Sequence, residues 1–240
     1  MRLGIMQPYF FPNLGHFALI AHTDRWIVFD ITQYTPKSWM TRNRVLKLEG
    51  GWSYINLPVC DSSRSQRIYE VRVNDLAAAQ AKLLGALSHY RKRAPNSSAV
   101  EEIVRECFRN SEDSLVAINA RSLRIVCEYL GIPFHYDICS TMGLELPDRA
   151  GPGGWAPRIA AAVGASEYIN PIGGRELFDP SEFSSRGVRL AFLEPPDFLY
   201  RTAPFAFEPG LSILDVMMWN EPAAIRSALQ GARIVPAISS

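Results

Sequence analysis

Long apolar runs are missing from this chain of 240 residues. The first apolar run, LGIM at positions 3–6, is far too short for the hydrophobic region of a secretory signal. No window approaches the roughly 20 continuous apolar residues that span a bilayer, so a cytoplasmic protein without membrane insertion is expected. An excess of one charge is missing too: 25 Lys and Arg face 24 Asp and Glu, spread along the chain rather than blocked. That balance excludes the electrostatic footprint of a nucleic-acid binder or of a protein held on an anionic membrane, and leaves a small molecule as the expected partner. Cys60, Cys107, Cys127 and Cys139 lie far apart, with no Cys-x-x-Cys and no Cys/His pairing at ligand spacing. Reduced thiols are expected, and neither a disulfide frame nor a metal site. Repeats, low-complexity tracts and linkers are also lacking, so residues 1–240 read as a single domain.

The pattern that is present points to an α/β fold. RLGIMQP reads as a fully buried strand, HFALIAHTD as a short helix and RWIVFDITQY as a second strand, a βαβ unit of parallel type. TRNRVLKLEGGWSYINLPVC carries a Gly-Gly turn between two β-prone pieces, a hairpin of the sort laid on the edge of such a sheet. Residues 74–130 form a helical insertion. Its last helix buries Leu115, Ile118, Leu123, Val126 and Leu130 on one side and closes at Gly131. The strand PFHYDI follows, then the Gly/Pro-rich STMGLELPDRAGPGGWAPR, which has no period and reads as a mobile lid loop. RIAAAVG is helical, SEYINPI and VRLAFLEP are strands, and LSILDVMMWN begins a last helix.

Open parallel sheets bind ligands beyond the carboxyl ends of their strands, where helix N-termini offer unpaired N–H groups to anions. Four distinctive loops fall at such ends: QPYFFPNLGH, QYTPKSWMTRNR, CSTMG and NPIGGRE. Parallel strands would bring all four to one rim. In the first, Gln7 and Asn13 either close the turn or meet a ligand, and Tyr9, Phe10 and Phe11 are hydrophobic cover or a stacking platform. His16, at a helix start beside Gly15, is held neutral there and either donates to a phosphate or carbonyl or simply packs. In the second loop Gln33 and Tyr34 lead to Trp39, Arg42, Asn43 and Arg44. Two arginines flanking an amide suit a carboxylate or pyrophosphate, and an ion pair to Asp30 or Glu49 is the other use of that charge. The third loop holds Ser140; the fourth holds Asn170 with Gly173 and Gly174, which let a backbone approach a ligand or merely turn. Ser212 reads as a helix N-cap with Asp215 reaching back as in a capping box. No Ser/His/Asp or Cys/His/Asn arrangement is legible around Cys139, and Asp30 and Asp137, both at strand ends, are the general-base candidates.

The blocks IMQPYFFPNLGHFALI, VFDITQY, SWMTRNRVL, CEYLGI, ASEYINPIGGREL with FSSRGVRLAFL, and FEPGLSILDVMMWN together resemble the WbqC-like family nearly end to end. The resemblance implies a small cytoplasmic protein of surface-polysaccharide or amino-sugar pathways. It implies placement of an acyl or aminoacyl group, glycine for example, on the amine of a nucleotide-linked deoxysugar. His16 stands where a Tyr is common in the family, Ile31 where a second Asp often follows the first, and Thr41 where Asn often precedes RNR. The missing second acid leaves Asp30 as the candidate base. Locally, FFPNLGHFALI is also similar to the Phe-x-Pro-x-His-x-Gly-His loop of the HxGH-type nucleotidyltransferases, with Asn13 and Leu14 replacing the first His, and CSTMG to their Ser-Thr helix start.

The expectation is therefore an α/β protein with a mostly parallel sheet of Rossmann-like or nucleotidyltransferase-like type and a helical insertion. Its expected activity is amide formation between an activated donor, such as a carrier-protein or CoA thioester, and the amine of a nucleotide-linked amino sugar or similar small molecule. Arg42 and Arg44 would hold a diphosphate, Gln7, Asn43 and Asn170 would orient polar groups, and Asp30 or His16 would take the amine proton. The 151–157 loop would close over the complex. ATP with Mg²⁺ enters only under the alternative of carboxylate adenylation, and a non-catalytic binding or scaffold subunit is the third reading.

Overall fold

The computed structural model describes residues 1–60, 63, 65–109, 111–147, 150–151 and 153–237. The chain opens with β1 (Arg2–Met6), α1 (Leu14–Ala21) and β2 (Arg25–Val28), then a hairpin of β3 (Arg42–Leu46) and β4 (Trp52–Asn56). Helices α2 (Leu76–Ala86), α3 (Ser97–Phe108) and α4 (Leu115–Leu130) come next. They are followed by β5 (Tyr136–Ile138), α5 (Trp155–Ala162), β6 (Glu167–Pro171), α6 (Pro180–Ser184) and β7 (Arg189–Glu194). Helices α7 (Ile213–Trp219) and α8 (Pro222–Gln230) and strand β8 (Arg233–Pro236) end the described chain. The main sheet has six strands in the order β5-β2-β1-β6-β7-β8, parallel throughout except for β8 against β7. This is the mostly parallel α/β architecture that the sequence predicts. No helix among the described residues is long and apolar enough to cross a membrane.

Strand alternation divides the interior into two cores. Trp26, Val28, Ile169, Ala191 and Leu193 face the helical side built by α1, α3, α4, α7 and α8. Leu3, Ile5, Ile27, Tyr168, Leu190 and Phe192 face α5 and α6. Gly4 pairs in register with Trp26, and a Cβ on it would lie 2.6 Å from the indole, so the glycine is what lets Trp26 lie flat across β1. α4 forms as its pattern predicts: Ser114 caps it by accepting the Ala117 N–H at 3.3 Å, its apolar face is buried, and Gly131 ends it at φ +66°.

Three expectations change. The hairpin does not extend the main sheet but stands as its own two-stranded sheet, because its inner face, with Val45 and Ile55, packs into the helical core. The second strand stops at Val28; residues 30–34 leave the sheet and exchange backbone bonds with residues 66–69 instead, including Ile68 N–H to the Thr32 carbonyl at 3.0 Å. The last helix is two helices, since Asn220 is extended (φ −129°, ψ 139°) and Pro222, at the first helical position, disfavours helix in the residue before it. Strand β8 then returns along β7.

Candidate functional site

From β1 the strand order runs one way through β2 to β5, and from β6 the other way through β7 to β8. The reversal lies between β1 and β6, and a cavity of about 790 Å³ opens just beyond their carboxyl ends. Its first wall is the loop after β1. Phe11 holds a left-handed conformation at φ +39°, and its carbonyl accepts the Asn43 Nδ2–H at 2.9 Å and the Ser212 hydroxyl at 2.7 Å. Asn43 also donates to the Phe10 carbonyl at 3.0 Å, so the hairpin and the start of α7 together fix the corner. The chain then enters α1, whose first turn (Asn13, Leu14, Gly15, His16) lines the cavity, the His16 N–H turning back to the Asn13 carbonyl at 3.1 Å and Asn13 bridging to Ser212. The Asn13 side chain makes no capping bond. A Cβ on Gly15 would sit 3.2 Å from Pro195, so this glycine allows the opposite wall to approach.

His16 is 5% exposed, packs 5.0 Å from the Trp26 ring and 5.6 Å from Tyr9, and its Nε2 has no hydrogen-bond partner. Burial drives its pKa down to about 3, which keeps the ring neutral at physiological pH. Arg44 enters from the hairpin. One of its Nη atoms donates to the Gly210 carbonyl at 3.2 Å and its guanidinium lies 5.6 Å from the Trp39 ring and 5.0 Å from Trp52, while its Nε is buried without a partner. Among the described residues no carboxylate pairs with Arg44 or Arg42; of the two expected partners, Glu49 pairs with Lys47 at 2.8 Å and Asp30 is bonded by Ser140. A guanidinium so placed keeps its positive charge at the cavity wall.

The cover is a strap of irregular chain, residues 195–211. Phe198, Tyr200 and Phe207 make it an aromatic wall, and Asp197 and Glu208 line the same cavity without an ion pair among the described residues. Tyr200 donates its hydroxyl to Asp215 at 2.7 Å, and the Tyr90 hydroxyl donates to the other carboxylate oxygen. Asp215 is fully buried, which raises its pKa. Ser212 caps α7 as expected, accepting the Leu214 N–H at 3.2 Å, but Asp215 turns to these tyrosines rather than back to the cap, because Tyr90 and Tyr200 offer it two hydroxyls within the core.

Of the residues singled out from the sequence, Tyr9, Asn13, His16, Trp39, Asn43, Arg44 and Gly173 meet at this cavity. The others lie elsewhere. Asp30 is buried and accepts both the N–H (2.9 Å) and the hydroxyl (2.6 Å) of Ser140; burial raises its pKa while these bonds hold it down. Ser140 belongs to a second cleft of about 500 Å³ at the ends of β2 and β5, with Arg67, Cys139 and Trp155. Gln7 donates to Thr32 at 3.4 Å, Gln33 bridges to Arg67, and Tyr34 is in the core. Arg42 sits on the Tyr54 ring at 4.4 Å, outside the cavity. Asn170 accepts from Tyr168 (2.9 Å) and donates to the Pro171 carbonyl (3.0 Å), and Gly174 is required because a Cβ would lie 2.3 Å from the Asn170 amide. Asp137 pairs with Arg25 at 2.7 Å. The four loops thus split between two clefts. The predicted lid lines the second cleft through Gly143, Leu144, Leu146 and Pro147, its positions 155–157 belong to α5, and Asp148, Arg149 and Pro152 lie outside the described residues. What covers the main cavity is the strap, EPPDFLYRTAPFAFEPG, which is proline-rich, aromatic and directly after a strand and whose last residues open the FEPGLSILDVMMWN block.

The WbqC-like protein family model matches residues 7–227. The chain belongs to the WbqC-like protein family. The matched span contains every residue that lines the cavity except Met6. A relative, the uncharacterized protein Rv1507c of Mycobacterium tuberculosis (strain ATCC 25618 / H37Rv), is 28% identical over 221 residues, covering 90% of this chain and 92% of its own. No solved structure matches. In this WbqC-like protein no group of three or more His, Cys, Asp or Glu among the described residues is placed to hold a metal ion.

Proposed function

We propose that this WbqC-like protein binds a nucleotide-linked amino sugar in the main cavity and transfers an activated acyl or aminoacyl group, such as glycyl, to its amine. The observation that carries this reading is the separation of unpaired charge across one cavity. Arg44, which lines it without a carboxylate partner among the described residues, offers charge to an anion, and Asp197 and Glu208 on the strap offer acceptors to a cation. A ligand with a phosphate at one end and an ammonium at the other matches both walls, and the rings of Tyr9, Trp39 and Phe207 suit the apolar face of a sugar. In the reaction the amine nitrogen attacks the thioester carbonyl carbon, the C–N bond forms, the C–S bond breaks, and the leaving thiolate departs with that electron pair and takes up the second proton lost by the nitrogen. The ammonium must first lose a proton. We assign that proton to Glu208, which shares the cavity, rather than to Asp30, whose carboxylate is engaged by Ser140. Neutral His16 contributes a hydrogen bond to the phosphate or the donor carbonyl, and Asp30 acts at a distance by holding the turn at Ser140. The donor is a CoA or carrier-protein thioester.

Calorimetric titration tests this reading. A nucleotide-linked amino sugar should bind, more weakly after Arg44→Ala. ATP–Mg²⁺ binding that requires His16 would replace it with carboxylate adenylation. Silence toward both ligands would leave a non-catalytic scaffold subunit.

A further inference from the structure

The outer face of the hairpin is unusual for a surface. Alternation puts Asn43 and Val45 of β3 and Ile55 of β4 inward, and Arg42, Arg44, Trp52 and Tyr54 outward. The two aromatic side chains remain 39% and 38% exposed, and Trp39 beside them 42%. Their rings interleave with the guanidinium groups: Arg42 lies 4.4 Å from Tyr54, Arg44 lies 5.0 Å from Trp52, and Trp52 meets Tyr54 edge-on at 5.0 Å. Neither arginine has a carboxylate partner among the described residues, although Lys47 at the tip of the hairpin has Glu49. Arg44 and Trp39 belong both to this face and to the cavity lining, so the ladder is continuous with the cavity mouth.

We propose that this face is a nucleoside diphosphate platform: a nucleobase stacks on Trp52 with Tyr54 at its edge, and the diphosphate crosses Arg42 and Arg44 to deliver the attached sugar into the cavity. The charge argument selects this occupant. Two unpaired arginines two positions apart on one strand, about 7 Å, call for two successive anionic groups. The exposed rings call for a planar group with a π-face. An uncharged saccharide would leave the arginines unused. The assignment of the sugar end rests on the reading of the cavity given above; the stacking face itself does not.

Three probes separate the two: a nucleoside diphosphate without sugar, a hexosamine 1-phosphate without nucleoside, and inorganic pyrophosphate, each titrated by calorimetry and tryptophan fluorescence. The nucleoside diphosphate should bind more tightly than pyrophosphate and quench fluorescence. Trp52→Ala should weaken it about 10-fold or more, Tyr54→Ala and Arg42→Gln should also weaken it, and Arg42→Gln, which is outside the cavity, should leave hexosamine 1-phosphate unaffected. Tyr54→Ala and Arg42→Gln keep the test open if Trp52→Ala disturbs the hairpin. Nucleoside diphosphate binding no tighter than pyrophosphate, or unchanged in the variants, overturns the platform, as does capture of a protein partner by this face with no nucleotide effect. Loss of hexosamine 1-phosphate binding alone overturns the cavity reading and leaves the platform standing.

Discussion

The Asn43 amide donates to the carbonyl of Phe11 at 2.9 Å, across 32 positions of sequence, and so holds a non-glycine residue at φ +39° where the cavity begins. The same nitrogen serves Phe10, and the Asn43 oxygen accepts the Arg44 N–H at 2.8 Å. Asn43→Ala leaves two carbonyls at a buried corner with fewer donors, and each such loss costs roughly 1–3 kcal/mol. The expected outcome is a fall of about 2–4 kcal/mol in urea-unfolding stability together with weaker ligand binding, whereas Asn43→Ala with an unchanged unfolding midpoint would mean the corner is held by Ser212 alone.

Gly4 and Trp26 give a sharper test of the sheet. A methyl group on Gly4 would lie 2.6 Å and 2.7 Å from two indole carbons, too close for either to stay. Gly4→Ala should therefore cost about 1–3 kcal/mol or more through overpacking. Trp26 fluorescence should shift as the ring moves, and an unperturbed spectrum with native stability would count against this packing.

Much of this arrangement was legible in the sequence where it depends on near neighbours. RLGIMQP, the turn and HFALI report β1, the corner and α1 because apolar period and helix start lie within about twenty residues. The rest depends on distant contacts. Arg42 and Arg44 are indistinguishable by pattern, and only the strap, through the Gly210 carbonyl, draws Arg44 into the cavity. Asp30 looked available because its partner Ser140 is 110 positions away. The strap has no period to detect, so Tyr200 gives no signal, and Phe207 and Glu208 stand out only as the start of the FEPGLSILDVMMWN block.

The two aspartates of interest predict opposite consequences from His16. His16 is neutral in the folded protein down to about pH 3 but takes a proton near 6.5 when unfolded. The unfolded state then binds more protons, so stability falls as pH drops below about 6.5, by up to about 1.4 kcal/mol per pH unit. The lowered His89 acts in the same direction. Asp30 and Asp215, raised by burial, bind protons earlier in the folded state and add stability on acidification. Comparing urea midpoints at pH 7 and 5 isolates the histidine: His16→Gln should lose less stability than the parent over that interval, and equal losses would show that His16 is not desolvated.

Arg44 and Asp30 separate the two clefts. Arg44→Ala removes charge-assisted donors from the cavity, worth about 1.5–3 kcal/mol, and should weaken hexosamine 1-phosphate binding roughly 10- to 100-fold. Asp30→Asn keeps the cavity intact but gives the Ser140 N–H and hydroxyl a poorer acceptor, so it should lower the melting temperature with little change in that affinity. The reverse pattern in paired calorimetry and melting would place the ligand in the second cleft.

Glu208→Gln tests the assignment of the proton. The amide keeps the shape of the side chain and can still accept a hydrogen bond from the ammonium, but it cannot take the proton. General-base loss typically costs 10²- to 10⁴-fold in turnover, and substrate affinity should change far less because Arg44 and α1 are untouched. Raising the pH increases the fraction of amine already free, so turnover by Glu208→Gln should climb with pH where the parent protein is flat. A substrate chemically fixed as the free amine, such as a hydroxylamine analogue of low basicity, should restore most of the rate to the variant. Turnover by Glu208→Gln equal to the parent at every pH would overturn the assignment of the proton to Glu208.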